Sequence, residues 1–170
     1  FRTPQGRAIR RAFVAPPGRL LMAADYSQIE LRIMAHLSGD PALTEAFQAG
    51  EDVHANTARR IFDVQGELDP ALRARAKIVN FGVMYGMSAF RLANELRIPC
   101  GQAAGFINAY FETYAGVSRF IAETKERAAE LGYVETLMGR RRYIRGIQSS
   151  NKLERSGAER NFQRIGQEFQ

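Results

Sequence analysis

Five apolar residues, Leu20-Leu21-Met22-Ala23-Ala24, run directly into Asp25-Tyr26-Ser27-Gln28-Ile29-Glu30-Leu31-Arg32, and Pro16-Pro17-Gly18 marks a turn before them. An apolar run of this length after a Pro-Gly turn predicts a buried strand over 20–25. Apolar residues then recur at helical spacing from Ile29 to Leu37, and Ser38-Gly39-Asp40-Pro41 ends that helix. The chain is thereby constrained to a strand, a turn and a helix, with a carboxylate delivered where the strand ends. A carboxylate on such a support suits a hard cation, which needs oxygen ligands in fixed geometry. The competing reading is that Asp25 caps the helix that follows.

A second constraint lies downstream. Asp69-Pro70 is a helix start, with Asp at the cap and Pro in the first turn, and the helical run continues to Met84. Within it Arg73, Lys77, Phe81 and Tyr85 recur every four positions. Each step advances about 40° beyond a full turn, so the four side chains span about 120° of helix surface. One stripe therefore offers two cations and then two aromatic rings. Two cations one turn apart suit a polyphosphate, and two rings suit a sugar and a base. An ordinary amphipathic helix is the competing reading. Asn80 and Gly82 fall in the same region, and neither favours a packed helix. Gly82 is expected to leave the backbone bare beside Phe81 for a closely approaching ligand.

These segments resemble family A DNA polymerases, the bacterial DNA polymerase I type. Asp25 to Asp40, Asp-Tyr-Ser-Gln-Ile-Glu-Leu-Arg-Ile-Met-Ala-His-Leu-Ser-Gly-Asp, is similar to the first catalytic motif of that family. Arg73 to Met87, Arg-Ala-Arg-Ala-Lys-Ile-Val-Asn-Phe-Gly-Val-Met-Tyr-Gly-Met, is similar to its nucleotide-binding fingers helix. Tyr133 to Tyr143, Tyr-Val-Glu-Thr-Leu-Met-Gly-Arg-Arg-Arg-Tyr, resembles a third segment. The similarity runs from Gly6 to Asn161 in the family's order and spacing. Three long matches in order are far more specific than a short pattern.

The resemblance implies an α+β, mostly helical fold: a partial palm sheet plus the helical fingers subdomain of a right-hand polymerase. Residues 1–40 and 132–170 would belong to the palm and 41–131 to the fingers. The implied activity is DNA-directed DNA polymerase: template-directed nucleotidyl transfer from a dNTP to a primer 3′ end, with two Mg²⁺ ions. The implied partners are a DNA primer-template and deoxynucleoside triphosphates, with no membrane and no obligate protein partner. Asp25 would hold both metals and the Tyr26 backbone carbonyl one of them. Gln28, Glu30, His54, Arg73, Lys77, Phe81 and Tyr85 would face the dNTP. Glu30 would occlude the sugar 2′ position, and Lys77 would be catalytic, donating a proton to leaving pyrophosphate. Tyr85 would also stack in the template-base position, and Arg140 and Arg141 would contact DNA.

The sequence departs from the family in two places. The family's second metal-binding aspartate sits in a His-Asp-Glu hairpin, whereas His36 and His54 are followed here by Leu37 and Ala55. Glu30, Asp52 and Glu135 are the candidate replacements. After Ala158-Glu159-Arg160-Asn161 the chain reads Phe162-Gln163-Arg164-Ile165-Gly166-Gln167-Glu168-Phe169, where relatives continue differently. The 170-residue chain alone is therefore expected to be inactive. Two alternatives follow: a non-catalytic relative that binds nucleotide or DNA, and a single-subunit RNA polymerase. The Gln28-Ile29-Glu30 stretch argues against the second, because an RNA polymerase must admit the 2′ hydroxyl.

Composition narrows the classes further. A chain of 170 residues with 45% hydrophobic content can bury one core, which argues against wholesale disorder. No apolar run approaches the roughly 20 residues of a membrane span. Without a charged-then-apolar leader, a cytoplasmic location is the expectation. The single Cys100 cannot form an internal disulfide and is expected as a buried or helix-cap thiol. Lys plus Arg number 24, of which three are Lys, and Arg forks pair with phosphate. The chain begins at Phe1, which suggests a piece of a longer protein.

The remaining expectations are local. A short strand is expected over 6–13, a helix over 41–49 closed by Gly50, and a helix over 53–62 capped by Asp52. After a turn over 66–69 and the helix from Pro70, Ser88 caps a helix over 89–96 that Ile98-Pro99 ends. Helix resumes over 102–131 with a break near Tyr114-Ala115-Gly116. Residues 133–137 and 142–144 flank Met138-Gly139-Arg140-Arg141 as a hairpin with a basic tip, and 151–170 form a last helix. Three to five strands are expected in all.

Overall fold

A computed structural model describes residues 3–155 and 157–158. Its elements are α1 (Pro4–Arg10), α2 (Ile29–Ser38), α3 (Pro41–Gln48), α4 (Val53–Ile61), α5 (Pro70–Met84), α6 (Ala89–Leu96), α7 (Cys100–Thr113), α8 (Ala115–Leu131), β1 (Tyr133–Glu135) and β2 (Arg141–Tyr143). The fold is mostly helical, with one antiparallel hairpin that pairs Tyr133 with Tyr143 and Glu135 with Arg141.

The helix starts follow from side-chain caps. Asp40 accepts from Leu43 N, Asp52 from His54 N and Ala55 N, Asp69 from Ala71 N, and Ser88 from Arg91 N. Each bond satisfies a backbone donor that a helix N-terminus would otherwise leave unpaired. Tyr114 separates α7 from α8, as the expected break requires.

Leu31, Leu43, Val53, Val79, Leu92, Tyr110 and Val117 are fully buried and form one core. A second cluster gathers Ala128, Val134, Ile144, Ile147 and Ala158. Helix α8 joins the two, with Val117 in the first and Ala128 in the second. A buried carboxylate pins its other end. Asp40 Oδ2 accepts from Gly116 N at 2.8 Å while Oδ1 caps α3. A Cβ on Gly116 would stand 2.8 Å from the Asp40 Cα, so only glycine allows this approach.

Several expectations are corrected. Residues 6–13 are not a strand: Pro4 stands at the first turn of α1, and Thr3 caps it by accepting from Gly6 N at 3.1 Å. Residues 20–25 adopt no regular secondary structure, and Leu20 is 96% exposed. A strand needs a ladder partner, and among the described residues only β1 and β2 pair. Two strands thus stand where three to five were expected. Asp25 is not the cap of α2 either. That position is Gln28, in the left-handed region at φ 52°. Cys100 is exposed, at the first position of α7. Gly82 does not open toward a ligand, since a Cβ there would meet Met87 Sδ at 3.2 Å. Of the expected last helix, Lys152–Arg155 are helical; residues 159–170, including the divergent segment from Phe162, lie outside the described residues.

Candidate functional site

The stripe on α5 is held in place by α4 and α2. Arg73 reaches Asp52 Oδ2 with Nη2 at 2.6 Å and Nε at 2.8 Å. Asp52 therefore does two jobs, capping α4 and orienting the first cation of the stripe. Its partial burial favours the neutral acid, yet the Arg73 hydrogen bond and the Ala55 and His54 N–H groups hold its pKa below the usual value.

His54, in the first turn of α4, is 2% exposed. Its Nδ1 lies 2.8 Å from Asn80 Nδ2, and its ring centroid lies 5.6 Å from that of Phe81. Burial lowers its pKa to about 4; Asp52 opposes the shift, while Arg73 and Lys77 add to it. The imidazole is neutral at pH 7. Lys77 Nζ stands 5.8 Å from the Phe81 ring centroid. Phe81 and Tyr85 are near-parallel, with centroids 6.1 Å apart at 13°.

Tyr85, the C-cap of α5, donates from its hydroxyl to Glu30 Oε1 at 2.8 Å. Burial pushes the phenol pKa well up and the Glu30 carboxylate pushes it further, so the hydroxyl stays a donor. Beyond Glu30 a cavity of about 730 Å³ opens between α2, α7, α8 and β1, lined by Met34, Met87, Phe111, Phe120 and Leu137 among others. Gln28, at the start of α2, combines a positive φ with an Oε1 that is buried without a hydrogen-bond partner.

The structure thus gathers Glu30, His54, Arg73, Lys77, Phe81 and Tyr85 by direct contacts or shared neighbours. Asp25 and Tyr26 are exposed on the irregular segment before α2. Arg140 is exposed at the hairpin turn. Arg141 belongs to β2 rather than to the tip, bound to Glu135 at 2.6 Å and lying over the Tyr133 ring at 4.8 Å.

Among the described residues no three His, Cys, Asp or Glu side chains gather to hold a metal ion. The candidate replacements for a second metal-binding acid are all engaged. Asp52 serves Arg73 and the α4 cap, Glu30 accepts from Tyr85, and Glu135 pairs with Arg141. Asp25 and the Tyr26 carbonyl fit the chemistry of a hard cation as part of a donor set only.

Sequence reasoning missed Asn80 as a partner of His54 and the second role of Asp52. A polar residue between Val79 and Val83 on the buried side of α5 was the available signal for Asn80.

Residues 1–163 match the family description "DNA polymerase family A". The chain belongs to DNA polymerase family A. It is 52% identical over 160 residues to the thermostable DNA polymerase I of Thermus aquaticus, which covers 94% of this chain and 19% of that protein. It is 49% identical over 161 residues to DNA polymerase I of Deinococcus radiodurans, again 94% of this chain and 17% of the relative. The chain therefore spans about a fifth of the length of these relatives. Among solved structures it resembles the POL domain of Pol1 from M. smegmatis in complex with DNA primer-template and dNTP. The TM-score is 0.84 at 43% identity, over 98% of this chain and 30% of that one. Family A membership fits the mostly helical fold with a short hairpin. No described helix is long and apolar enough to cross a membrane.

Proposed function

We propose that this chain is the part of a DNA-directed DNA polymerase that binds the incoming deoxynucleoside triphosphate and carries one of its catalytic carboxylates. The observation that carries the reading is the ordered stripe on α5, two cations followed by two stacked rings, with Glu30 bonded to the last. Residues 1–40 and 132–170 are proposed as palm and 41–131 as fingers. The Pol1 relative was solved with DNA primer-template and dNTP, which supports the same partners here.

Each residue then has a physical task. Arg73, oriented by Asp52, and Lys77 meet the phosphates, with Lys77 able to give a proton to the departing pyrophosphate oxygen. His54 adds a neutral donor beside them. Phe81 packs on sugar and base. Glu30, fixed by the Tyr85 hydroxyl, fills the space beside the 2′ carbon, and Gln28 lies next to it in sequence at the start of α2. Tyr85 covers the template-base position, and Arg140 and Arg141 contact DNA backbone. Asp25 and the Tyr26 carbonyl would hold Mg²⁺, which when bound in pairs stabilises attacking and leaving oxygens together. With no second metal-binding acid assigned beside Asp25, the 170-residue chain alone is expected to bind without extending a primer.

The test is Lys77→Ala in the full-length polymerase that carries this segment. Charge-assisted contacts contribute about 1.5–3 kcal/mol, so kcat/KM for the nucleotide should fall more than tenfold. Lys77→Arg should recover only part of the loss, because a guanidinium is a poor proton donor. Near-normal kinetics for Lys77→Ala would overturn the assignment.

A further inference from the structure

We propose that Asn80 is a positioning residue that fixes His54 as the imidazole protonated on Nε2, at the end of a hydrogen-bond chain that starts at Tyr114. Four buried or nearly buried side chains form the chain. Tyr114 OH lies 2.9 Å from Thr57 Oγ1, Thr57 Oγ1 lies 3.0 Å from Asn80 Oδ1, and Asn80 Nδ2 lies 2.8 Å from His54 Nδ1. The donors follow from the chemistry of each group. Burial holds the Tyr114 phenol protonated, so it can donate to Thr57. Thr57 then has its own proton to pass on. Its single proton is shared between two acceptors, the Val53 carbonyl at 2.8 Å and Asn80 Oδ1 at 3.0 Å. The other end of an amide is donor only, so the ring atom it faces must carry a lone pair. His54 Nδ1 is therefore bare, and the single proton of the neutral ring sits on Nε2. Chains in which every group donates in one direction strengthen one another in a low-dielectric interior.

The consequence concerns the triphosphate site, and the inference rests on that reading for its function. Arg73 and Lys77 already supply two cations beside His54, and a third would be repelled. A neutral ring with a proton on Nε2 offers a phosphate oxygen a hydrogen bond without adding charge. Turning the Asn80 amide over would protonate Nδ1 and leave Nε2 a lone pair, which a phosphate oxygen cannot use. The polar residue in the apolar side of α5 thus decides whether His54 is a donor at all. The chain also ties that choice to the α7–α8 junction, where Tyr114 sits.

The experiment uses the full-length polymerase with ¹⁵N-labelled histidine, and His54→Gln to assign the signals. The expected spectrum shows His54 Nδ1 as a bare ring nitrogen and Nε2 as protonated. Thr57→Val, which keeps the side-chain shape, should mix the two tautomers. A protonated Nδ1 in the parent, or an unmoved spectrum in Thr57→Val, overturns the proposal. A double-mutant cycle adds a readout that general destabilisation would not imitate. Asn80→Ala should raise the nucleotide KM about fivefold with a smaller change in kcat. Placed on His54→Gln, the same substitution should have no further effect. An equal rise in both backgrounds shows that Asn80 does not act through His54 and overturns the proposal. If His54→Gln itself leaves KM unchanged, the nucleotide role of His54 fails, while the nitrogen spectrum still decides the tautomer.

Discussion

Arg73, His54 and Tyr85 are each tied by a hydrogen bond to a second element or to a buried partner, whereas Asp25 and Tyr26 ride on irregular chain and are exposed to solvent. The two groups belong to one proposed reaction but are built differently. On the nucleotide side the geometry is fixed by this chain's own packing, so the donors are in place before a ligand arrives. On the carboxylate side the backbone presents the group and leaves its final position to whatever binds or packs against it. The difference teaches where substitutions should act on binding and stability together, and where on chemistry alone.

The largest effect is expected from Asp25→Asn. In the full-length polymerase, primer extension should be lost by orders of magnitude, since an amide is a far poorer ligand for a hard cation. Unfolding of the 170-residue chain should move by no more than about 0.5 kcal/mol, as for other exposed sites. A clear loss of stability would mean that Asp25 is held as firmly as Arg73.

Next in size is the pin between α3 and α8. Gly116→Ala forces a Cβ to within 2.8 Å of the Asp40 Cα and should destabilise the chain by about 1–3 kcal/mol in urea unfolding. Gly105→Ala, also helical but with open space at its Cβ, should be neutral or stabilising. Equal effects at the two glycines would remove the special status of the buried carboxylate.

A third effect depends on pH. The folded pKa of His54 is lowered to about 4 from an ordinary 6.5, so between these values the unfolded chain binds more protons than the folded one. The His54 contribution to stability therefore rises with pH from 4 to 6.5, is flat above 6.5, and is fully unfavourable below 4. The difference in urea midpoint between the parent and His54→Gln, followed across this range, isolates it. A difference that does not vary with pH would place the ring in solvent and undo the pre-formed half of the site.

The smallest change is expected at Tyr110, fully buried with a hydroxyl that has no hydrogen-bond partner. Tyr110→Phe removes an unsatisfied oxygen and should leave stability within about 1 kcal/mol or raise it. A larger loss would reveal a partner for that hydroxyl and a second fixed polar network in the core.

Much of the helical frame was legible because its signals are local. Asp40-Pro41, Asp52, Asp69-Pro70 and Ser88 announce four helices within a turn of where each begins. The spacing of Arg73, Lys77, Phe81 and Tyr85 likewise delivered one face of α5. The same kind of signal, Thr3-Pro4, marks α1 but lies ahead of the 6–13 segment read as a strand. What was not legible depends on distant partners. The apolar run 20–24 looks alike whether or not a neighbouring strand exists to bury it. Asn80 and His54 are separated by 26 residues, and Asp40 and Gly116 by 76, so no local pattern could pair them. The left-handed cap at Gln28 was hidden for another reason, since glutamine is not a residue that φ above zero favours.

The bond from Tyr85 to Glu30 has a consequence for the ensemble of shapes this chain adopts. Helix α2 packs chiefly on α3 and α8, whereas α5 packs chiefly on α4, α6 and α7. The bond crosses between those two groups at the edge of the cavity that Glu30 and Gly86 both line. Breaking that bond alone costs about 1.5–3 kcal/mol, the usual contribution of a hydrogen bond to a carboxylate. A ligand entering that cavity would compete with this bond for Glu30. Removing the Tyr85 hydroxyl would weaken this one tie across the cavity edge without changing the groups that line it.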